Sequence, residues 1–379
     1  MKIGSLFAGI GGFELGLSQG IPGARVAWQV EIDPWCRGIL AHHWPDAARH
    51  DDVREVGARS LESVDVLCGG FPCQDISTAG AGAGLAGARS GLWFEMLRVI
   101  REIRPAYVVA ENVAALRSRG LPVVLDGLRE AGYSATWAII AASDLGAPHQ
   151  RRRMWILACR SDVPQVTIPV VGAADLDECL RDVWPRGGDP EPWERGLPRA
   201  VPKGFHLGHR GSRLRALGNA VVPQIPRLIG RAIAAGDVFA LANYAAAPAP
   251  TLPTMTVAER DNAGGAKPGP VRPCLSSLAK TWPTPTVCGN HNRVGVSAKS
   301  GDGLATAVAR RTWPTPCASD DRDRGSIHRG GAVARRAEAG KQLMLSMVAG
   351  SPEQPGRLNP AWVELLMGYP AGWTHPRAE

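Results

Sequence analysis

The sequence lacks the features that mark secreted, membrane-spanning and metal-binding proteins. Its eight cysteines form no CxxC pair and follow no regular spacing, so we expect reduced thiols and a cytoplasmic protein. Glycines interrupt the apolar run at the N-terminus, so no signal peptide is expected, and no stretch is long and apolar enough to span a membrane. Cys288 and His291 have the spacing of metal ligands, but a single such pair indicates a surface loop, and we predict no metal site.

Lysine contributes little to the charge, most of which arginine carries. The formal net charge of +8 and the pI near 9.3 fit a partner that bears phosphates, although solvated surface side chains give the same values. Arginine suits bidentate contacts to phosphates and base edges better than lysine does. With 379 residues, of which 45% are hydrophobic, we expect two domains, or one large domain with an appendage.

The first fifty residues predict a nucleotide-binding arrangement of strand, glycine loop and helix. A strand over residues 2–7 precedes the glycine-rich stretch 8–12, and a helical pattern covers 13–17. The next strand, 24–30, ends in Glu31, about twenty residues beyond Gly11, where an acid can bind both ribose hydroxyls of a nucleoside. An exposed strand-end carboxylate is the alternative, but the combination of loop and acid favours a nucleoside site.

The rest of the chain is organised around Cys73, which follows a predicted parallel strand over 64–68. Two glycines and Pro72 are expected to stop that strand, so the thiol is presented on a loop at a strand's carboxyl end. A thiolate there can be a nucleophile, whereas most free cysteines are small buried hydrophobes. Residues 79–91 are rich in glycine and alanine, which predicts either a loop that closes over a substrate or an ordinary linker.

Further charged side chains follow other predicted strands. Glu111 comes after a strand over 105–110, beside the Cys73 loop if the two strands are neighbours. Arg151 and Arg153 precede a strand over 154–159 and, by alternation, share one face, where they can steady an anion and lower the pKa of a nearby thiol. A solvated basic turn is the alternative. Asp52 can accept from an adenine amino group or cap the following turn.

Taken in order, these motifs resemble the DNA (cytosine-5) methyltransferase family. The set comprises Phe7-x-Gly9-x-Gly11, Glu31, Pro72-Cys73-Gln74, Glu111-Asn112-Val113, Arg151-x-Arg153 and the block 213–223 around Gly218-Asn219. The resemblance implies a Rossmann-like α/β fold of the S-adenosylmethionine-dependent methyltransferases. That fold has a mostly parallel sheet with helices on both faces and a smaller irregular target-recognition region.

The resemblance also implies a role for each matching position. Cys73 would be the nucleophile, Glu111 would engage N3 of the target cytosine, and Arg151 and Arg153 would support the catalytic loop and the base. The S-adenosylmethionine site would be lined by Phe7, Gly9, Gly11, Glu31, Asp52, Pro72 and Asn219. The chain departs from the family at His149, where glutamine is usual, which leaves the contribution of His149 open but not that of the arginines.

The order of the motifs suggests a rearranged C-terminal half. We predict a catalytic core over 1–159, a short variable stretch over 160–212, a return to the core over 213–244 and a basic region over 245–379. The block 357–370 resembles one that normally precedes Gly218-Asn219 but here follows it. We therefore expect 251–356 to supply much of the recognition surface and the last helix to pack on the core. A largely disordered basic tail is the alternative.

The leading hypothesis is a monomeric, nucleoid-associated enzyme that methylates a specific sequence in double-stranded DNA with S-adenosylmethionine. The same chemistry on RNA such as tRNA is the first alternative. An NAD-dependent oxidoreductase would satisfy the glycine loop and Glu31, but it leaves Cys73 and Glu111 without a shared purpose. A non-catalytic DNA-binding protein is supported by the charge alone.

Overall fold

The computed structural model describes residues 1–72, 91–168, 183–184, 192–202, 207–236, 313–321, 344–349 and 356–375. Cys73, the predicted loop over 79–91 except for its last residue Gly91, and the pair Cys288 and His291 lie outside the described residues. The chain divides into two compact units, of which one comprises 1–240 with 312–379 and the other 241–311. The second unit lies outside the described residues, so the architecture below is that of the first.

A seven-stranded sheet forms the centre of this unit. Its strands are β1 (Lys2–Leu6), β2 (Arg25–Val30), β3 (Ala48–His50), β4 (Val66–Gly70), β5 (Tyr107–Val113), β6 (Tyr133–Ile140) and β7 (Arg153–Arg160). They lie in the order β3-β2-β1-β4-β5-β7-β6, and β7 runs antiparallel to both of its neighbours while the other pairs are parallel. The predicted mostly parallel α/β sheet is therefore confirmed.

Helices connect the strands and cover the sheet. They are α1 (Gly12–Gly20), α2 (Pro34–His43), α3 (Leu92–Ile103), α4 (Leu116–Arg119), α5 (Leu121–Glu130), α6 (Arg210–Asn219), α7 (Gln224–Ala235), α8 (Leu345–Val348) and α9 (Pro360–Leu366). A two-residue strand β8 (Ala200–Val201) pairs antiparallel with β9 (Arg357–Leu358), which joins the variable stretch to the C-terminal segment.

The sheet separates two hydrophobic layers because successive strand residues point to opposite faces. In β4, Cys68 faces the layer that contains α1, α6, α7 and α9, while Leu67 faces the layer that contains α3 and α5. Both side chains are fully buried, as are Trp155 and Trp28. Helices on both faces of the sheet are thus confirmed.

The prediction that glycines stop β4 after Cys68 is wrong. The strand continues through Gly69 and Gly70 because it is central and pairs on both edges, with Leu6 opposite Gly69 and Glu111 opposite Gly70. A Cβ on Gly69 would lie 2.7 Å from the Leu6 carbonyl oxygen, so the close approach of the strands requires glycine here.

The C-terminal segment is part of the core of this unit. In α9, Trp362 and Leu366 are fully buried, and Glu364 forms a buried ion pair with Arg213 of α6 at 2.9 Å. Helix α9 begins with Asn359 as its N-cap, whose side chain accepts from the Ala361 amide at 3.1 Å, and Pro360 follows at the first helical position. Among the described residues, no helix has both the length and the apolar character that crossing a membrane requires.

Candidate active site

A cavity of about 350 Å³ opens at the carboxyl ends of the central parallel strands. Strands β1 and β4 bring their ends together here, where open α/β sheets bind their ligands. Among the residues to which the sequence analysis gave a catalytic or cofactor-binding role, those that line the cavity are Phe7, Gly9, Glu31, Pro72, Glu111, Arg151, Arg153 and Asn219. Cys73 directly follows Pro72 in the chain but lies outside the described residues.

One side of the cavity is built around Glu31 at the end of β2. Its Oε2 accepts from the Gly9 amide at 2.7 Å and its Oε1 from the Asp33 amide at 2.8 Å. Each carboxylate oxygen keeps a second lone pair, which suits a hydroxyl donor. Burial raises the pKa of Glu31, and the two backbone hydrogen bonds oppose that shift.

The glycine loop supplies the adjoining wall. Gly9 has a φ of +56°, and a Cβ added there would meet no atom of the described residues within 4 Å, so the bare backbone of Gly9 faces the cavity. Phe7, which also lines the cavity, has a left-handed backbone conformation with a φ of 55°. A non-glycine residue in that region is costly and is retained mostly at functional sites.

Sequence reasoning missed three residues of this wall, Asp33, Trp35 and Cys36. Asp33 is the N-cap of α2, and its side chain accepts from the Trp35 amide at 2.8 Å and the Cys36 amide at 3.2 Å. The signal was present, since Asp33-Pro34 is a helix start directly after Glu31. That start places the half-buried Trp35 ring one residue into α2, beside the cavity.

Two predicted cofactor residues do not line the cavity. Gly11, with a φ of 84°, is the N-cap of α1, and a Cβ there would lie 2.3 Å from the Trp44 ring. Asp52 caps the short 3₁₀ helix Val53–Glu55 by accepting from the Arg54 amide at 3.0 Å, and it also forms an ion pair with the Arg54 side chain. These contacts match the helix-cap alternative for Asp52, and its role toward a cofactor stays a prediction.

The opposite side of the cavity contains a carboxylate and a guanidinium in contact. Arg153 Nε lies 3.0 Å from Glu111 Oε1, and the Glu111 side chain is 13% exposed. Burial raises the pKa of Glu111, while Arg153 and Arg151 oppose the shift. Because β4 and β5 are neighbours with Gly70 opposite Glu111, the carboxyl group lies beside the strand that leads to Cys73.

Asn112 fixes the backbone that leads into the Cys73 loop. Its side chain is 1% exposed, and Nδ2 donates to the Phe71 carbonyl oxygen at 3.1 Å. Phe71 is itself buried against Trp93, with ring centroids 5.2 Å apart. The motif Glu111-Asn112 thus contributes one side chain to the cavity and one to the support of the neighbouring strand end.

Arg151 and Arg153 have different partners, although the sequence suggested a shared one. Arg151 is 3% exposed, and its guanidinium donates at 3.1 Å to the carbonyl oxygens of Gly218 and Pro316, and to that of Ala220. Its amide donates to Thr315 Oγ1 at 3.0 Å. Arg151 therefore touches the cavity but fastens the end of α6 to the segment 313–321.

His149, the departure from the family pattern, lies in the same junction. The ring is fully buried, Nε2 lies 3.1 Å from the Leu366 carbonyl oxygen, and the backbone bridges to Trp313. Burial, reinforced by Arg151, lowers the pKa of His149 to about 3, so the ring is neutral. His149 thus connects α9 and the segment 313–321 to the strand that carries Arg153.

The N-terminal part of the chain, which contains most of the residues described above, matches a known protein family. The family model described as C-5 cytosine-specific DNA methylase matches residues 1–176. Residues 1–176 are a C-5 cytosine-specific DNA methylase domain. The resemblance drawn from the motifs is confirmed for this part of the chain, which contains every predicted site residue of the methylase except Asn219.

Curated relatives agree with the methylase family. Type II methyltransferase M2.BsuMI of Bacillus subtilis (strain 168) is 35% identical over 176 residues, which are 44% of this chain and 44% of that protein. Type II methyltransferase M.HhaI of Haemophilus parahaemolyticus is 32% identical over 162 residues, 42% of this chain and 49% of that protein. The chain therefore spans about half the length of the curated relatives it matches.

Among solved structures, a mutant of Spodoptera frugiperda DNMT2 is similar at 17% identity with a TM-score of 0.42. The likeness covers 60% of this chain and 68% of that one.

Proposed function

We propose that the chain is a DNA (cytosine-5) methyltransferase that transfers a methyl group from S-adenosylmethionine to C5 of a cytosine in a specific DNA sequence. One observation carries the proposal. A single cavity joins a nucleoside-type wall around Glu31 to the Glu111–Arg153 pair, next to the residue that precedes Cys73. An oxidoreductase would have no use for the second side of this cavity.

The wall around Glu31 fits the nucleoside part of S-adenosylmethionine. The lone pairs left on Glu31 suit ribose hydroxyls, the rings of Phe7 and Trp35 offer apolar contact to a base, and Gly9 leaves the space open. The carboxylates of Glu31 and Asp33 also suit a cationic ligand. When bound, S-adenosylmethionine supplies an electrophilic methyl group.

The residues on the other side fit the activation of cytosine. Cytosine C5 is a poor nucleophile, but addition of the Cys73 thiolate at C6 moves the ring's electron density to C5. Negative charge develops at N3 in that step, and a protonated Glu111 donates a hydrogen bond there. The raised pKa of Glu111 favours this neutral form. C5 then takes the methyl group, a base removes the C5 proton, and the C6–S bond breaks as the ring double bond returns.

The reaction requires a cytosine that has left the stacked duplex, at a cost of about a few kcal/mol. The positive net charge supports a double-stranded DNA partner. We propose that the enzyme acts as a monomer on nucleoid DNA, with residues 251–356 supplying much of the recognition surface and 160–212 the remainder. Within the former range, residues 313–321 contact the core through Trp313 and Thr315.

The test is covalent trapping followed by mapping. Purified protein and S-adenosylmethionine are incubated with duplex DNA that carries 5-fluorocytosine, because fluorine at C5 prevents release of the Cys73 adduct. The wild-type chain and Cys36→Ala, which removes a thiol that lines the same cavity, should form a denaturant-stable adduct. Cys73→Ala should form none. An adduct that survives Cys73→Ala would overturn the mechanism.

Bisulfite sequencing of host DNA after expression then gives the modified base and its sequence context. Parallel reactions with duplex DNA and a folded tRNA separate the DNA proposal from methylation of RNA. Methylation of the tRNA alone would overturn the assignment of the substrate.

A further inference from the structure

Trp373, which no motif singled out, contacts both elements that form the nucleoside wall of the cavity. Its indole Nε1 donates to the carbonyl oxygen of Ile10, in the middle of the glycine loop, at 2.9 Å. Its ring stacks on His43, the last residue of α2, with centroids 3.5 Å apart and an interplanar angle of 8°. His43 Nε2 in turn lies 2.9 Å from the Trp373 carbonyl oxygen.

The segment that carries Trp373 is held rigidly by the core. Glu364 of α9 is fully buried, and its carboxylate accepts from the Arg213 guanidinium at 2.9 Å and from the amides of Gly372 and Thr374 at 2.6 and 3.0 Å. Such a charge-assisted network fixes the turn after α9 relative to α6. Trp373 is therefore presented from a fixed support, not from a free C-terminal tail.

A second contact from the same segment reaches the start of α1. The Tyr369 hydroxyl donates to the Val221 carbonyl oxygen at 2.9 Å. The same hydroxyl packs closely on Gly12, the first residue of α1, where an added Cβ would lie only 2.4 Å from it. Gln224 Nε2 donates to the Gly368 carbonyl oxygen at 2.8 Å. The segment 368–373 thus packs against the glycine loop, α1 and the start of α7 at once.

The two elements that Trp373 joins are the ones whose relative position defines the nucleoside wall. The glycine loop contributes Gly9 to this wall, and the start of α2 contributes its N-cap Asp33 and the Trp35 ring. The Glu31 carboxylate accepts from the amides of Gly9 and Asp33, one from each element. A shift of the loop relative to α2 would separate the two donors that orient Glu31. We propose that Trp373 is a positioning residue of the cofactor site, which acts through Ile10 and His43 without touching the cofactor.

This inference rests on the proposed cofactor, but one of its tests does not. Trp373→Phe keeps a ring to stack on His43 and removes the donor to Ile10. The matched control is Trp184→Phe, because the Trp184 indole is also buried and donates at 3.0 Å, but to the Leu365 carbonyl oxygen of α9. Calorimetric binding of S-adenosylhomocysteine and amide hydrogen exchange of residues 8–17 are measured on all three proteins.

Loss of one buried hydrogen bond should weaken cofactor binding by Trp373→Phe about tenfold, with the KM for DNA unchanged. The amides of residues 8–17 should exchange faster in the free Trp373→Phe protein than in Trp184→Phe. Equal binding and equal exchange in the two variants would overturn the inference.

If the wild-type chain binds no S-adenosylhomocysteine, the proposed function fails, while the exchange comparison still decides whether Trp373 positions the loop. Should Trp373→Phe not fold, His43→Leu removes the stacked partner and leaves Trp373 in place, and the same two measurements apply. Wild-type exchange of residues 8–17 in His43→Leu would likewise overturn the inference.

Discussion

At the scale of single residues, Arg151 and Arg153 show how two like side chains, one residue apart, take different tasks. Arg153 contacts the carboxylate of Glu111 inside the cavity. The Arg151 guanidinium instead donates hydrogen bonds to backbone carbonyl oxygens of two other segments. Lysine cannot replace the planar fork of arginine in several simultaneous hydrogen bonds. The two positions should therefore respond differently to the same conservative change.

Arg151→Lys should lower the free energy of unfolding by about 1–3 kcal/mol, because at least one buried carbonyl loses its donor. Arg153→Lys should leave that free energy within about 0.5 kcal/mol, since this side chain is 24% exposed, and should instead lower kcat. Urea unfolding and single-turnover methylation of the two variants are the measurements. A stable Arg151→Lys with normal unfolding would contradict the structural role assigned to it.

Glu14 offers a pH-dependent prediction at the same scale. The side chain is fully buried in the first turn of α1, its Oε1 accepts from Gln29 at 3.1 Å, and burial raises its pKa to about 7. The folded protein therefore keeps a proton that the unfolded chain releases near pH 4.5. Its contribution to stability is complete below that pH and is lost as the pH rises to about 7.

Glu14→Gln should remove this dependence. Raising the pH from 4 to 8 should lower the free energy of unfolding of the wild type, relative to that of Glu14→Gln, by about 3 kcal/mol. Urea unfolding at several pH values measures it. A difference that stays constant across this range would show that Glu14 does not titrate as the buried geometry requires.

At the scale of elements, the contact between α6 and the segment 313–321 depends on a glycine. A Cβ on Gly218 would lie 2.2 Å from both the Ala318 amide nitrogen and the Cys317 carbonyl carbon. For Gly211, in the same helix, no atom of the part of the chain that the structure describes lies within 4 Å of such a Cβ. The two glycines make a matched pair, because one sits at a close contact between backbones and the other faces open space.

Gly218→Ala should push the segment 313–321 away from α6 and destabilise the protein by about 1–3 kcal/mol. Gly211→Ala should be neutral or stabilise by up to about 1 kcal/mol, as expected where helical glycine meets no obstacle. Thermal or urea unfolding of both variants tests the contact. Equal effects at the two positions would show that the segment does not pack on α6 as described.

The elements also show what sequence patterns can and cannot predict. In helix α3, Leu92–Ile103, the amphipathic period is strong and a glycine precedes the first residue, so the local pattern alone is enough to predict a helix. The prediction for strand β5 covers 105–110, but the strand runs to Val113. Its antiparallel pairing with β7 continues to that residue, which lies opposite Arg153. The hydrophobic pattern of a short stretch does not show which distant strand it pairs with, so it cannot predict how far that pairing extends the strand.

The same limit applies to the candidate site. Glu31 and Glu111 could be predicted because acids at strand ends converge on one edge of a parallel sheet. The partners of Arg151 could not, because Gly218 and Pro316 lie 67 and 165 residues away in the chain. Asp33 and Trp35 were missed although a helix-start signal followed Glu31 directly.

At the scale of the whole molecule, the C-terminal half separates into parts with different expected roles. Residues 313–321, 344–349 and 356–375 belong to the same compact unit as the methylase domain, whereas residues 241–311 form the other unit. Trp362 and Leu366 are fully buried in that shared core. Removal of everything after residue 250 therefore tests folding, and removal of 251–311 tests recognition.

A chain in which residues 251–311 are replaced by a Gly/Ser linker of about 20 residues should keep a cooperative unfolding transition and bind S-adenosylhomocysteine, yet lose sequence-specific methylation. A chain that ends at residue 250 should lose the cooperative transition, since the partners of α6 and α7 are gone. Calorimetry and bisulfite sequencing distinguish the two. Unchanged sequence specificity in the linker variant would refute the assignment of recognition to this region.

The hydrogen bond between Trp373 and Ile10 joins residues 363 positions apart. During translation at about 5–20 residues per second, the glycine loop leaves the ribosome long before its indole partner exists. The wall of the cavity around Glu31 therefore stays incomplete in a nascent chain until residue 373 has been made. Contacts between residues so far apart in the sequence slow folding, so newly made copies should gain the proposed methyl-transfer activity only after a lag that follows synthesis of residue 373.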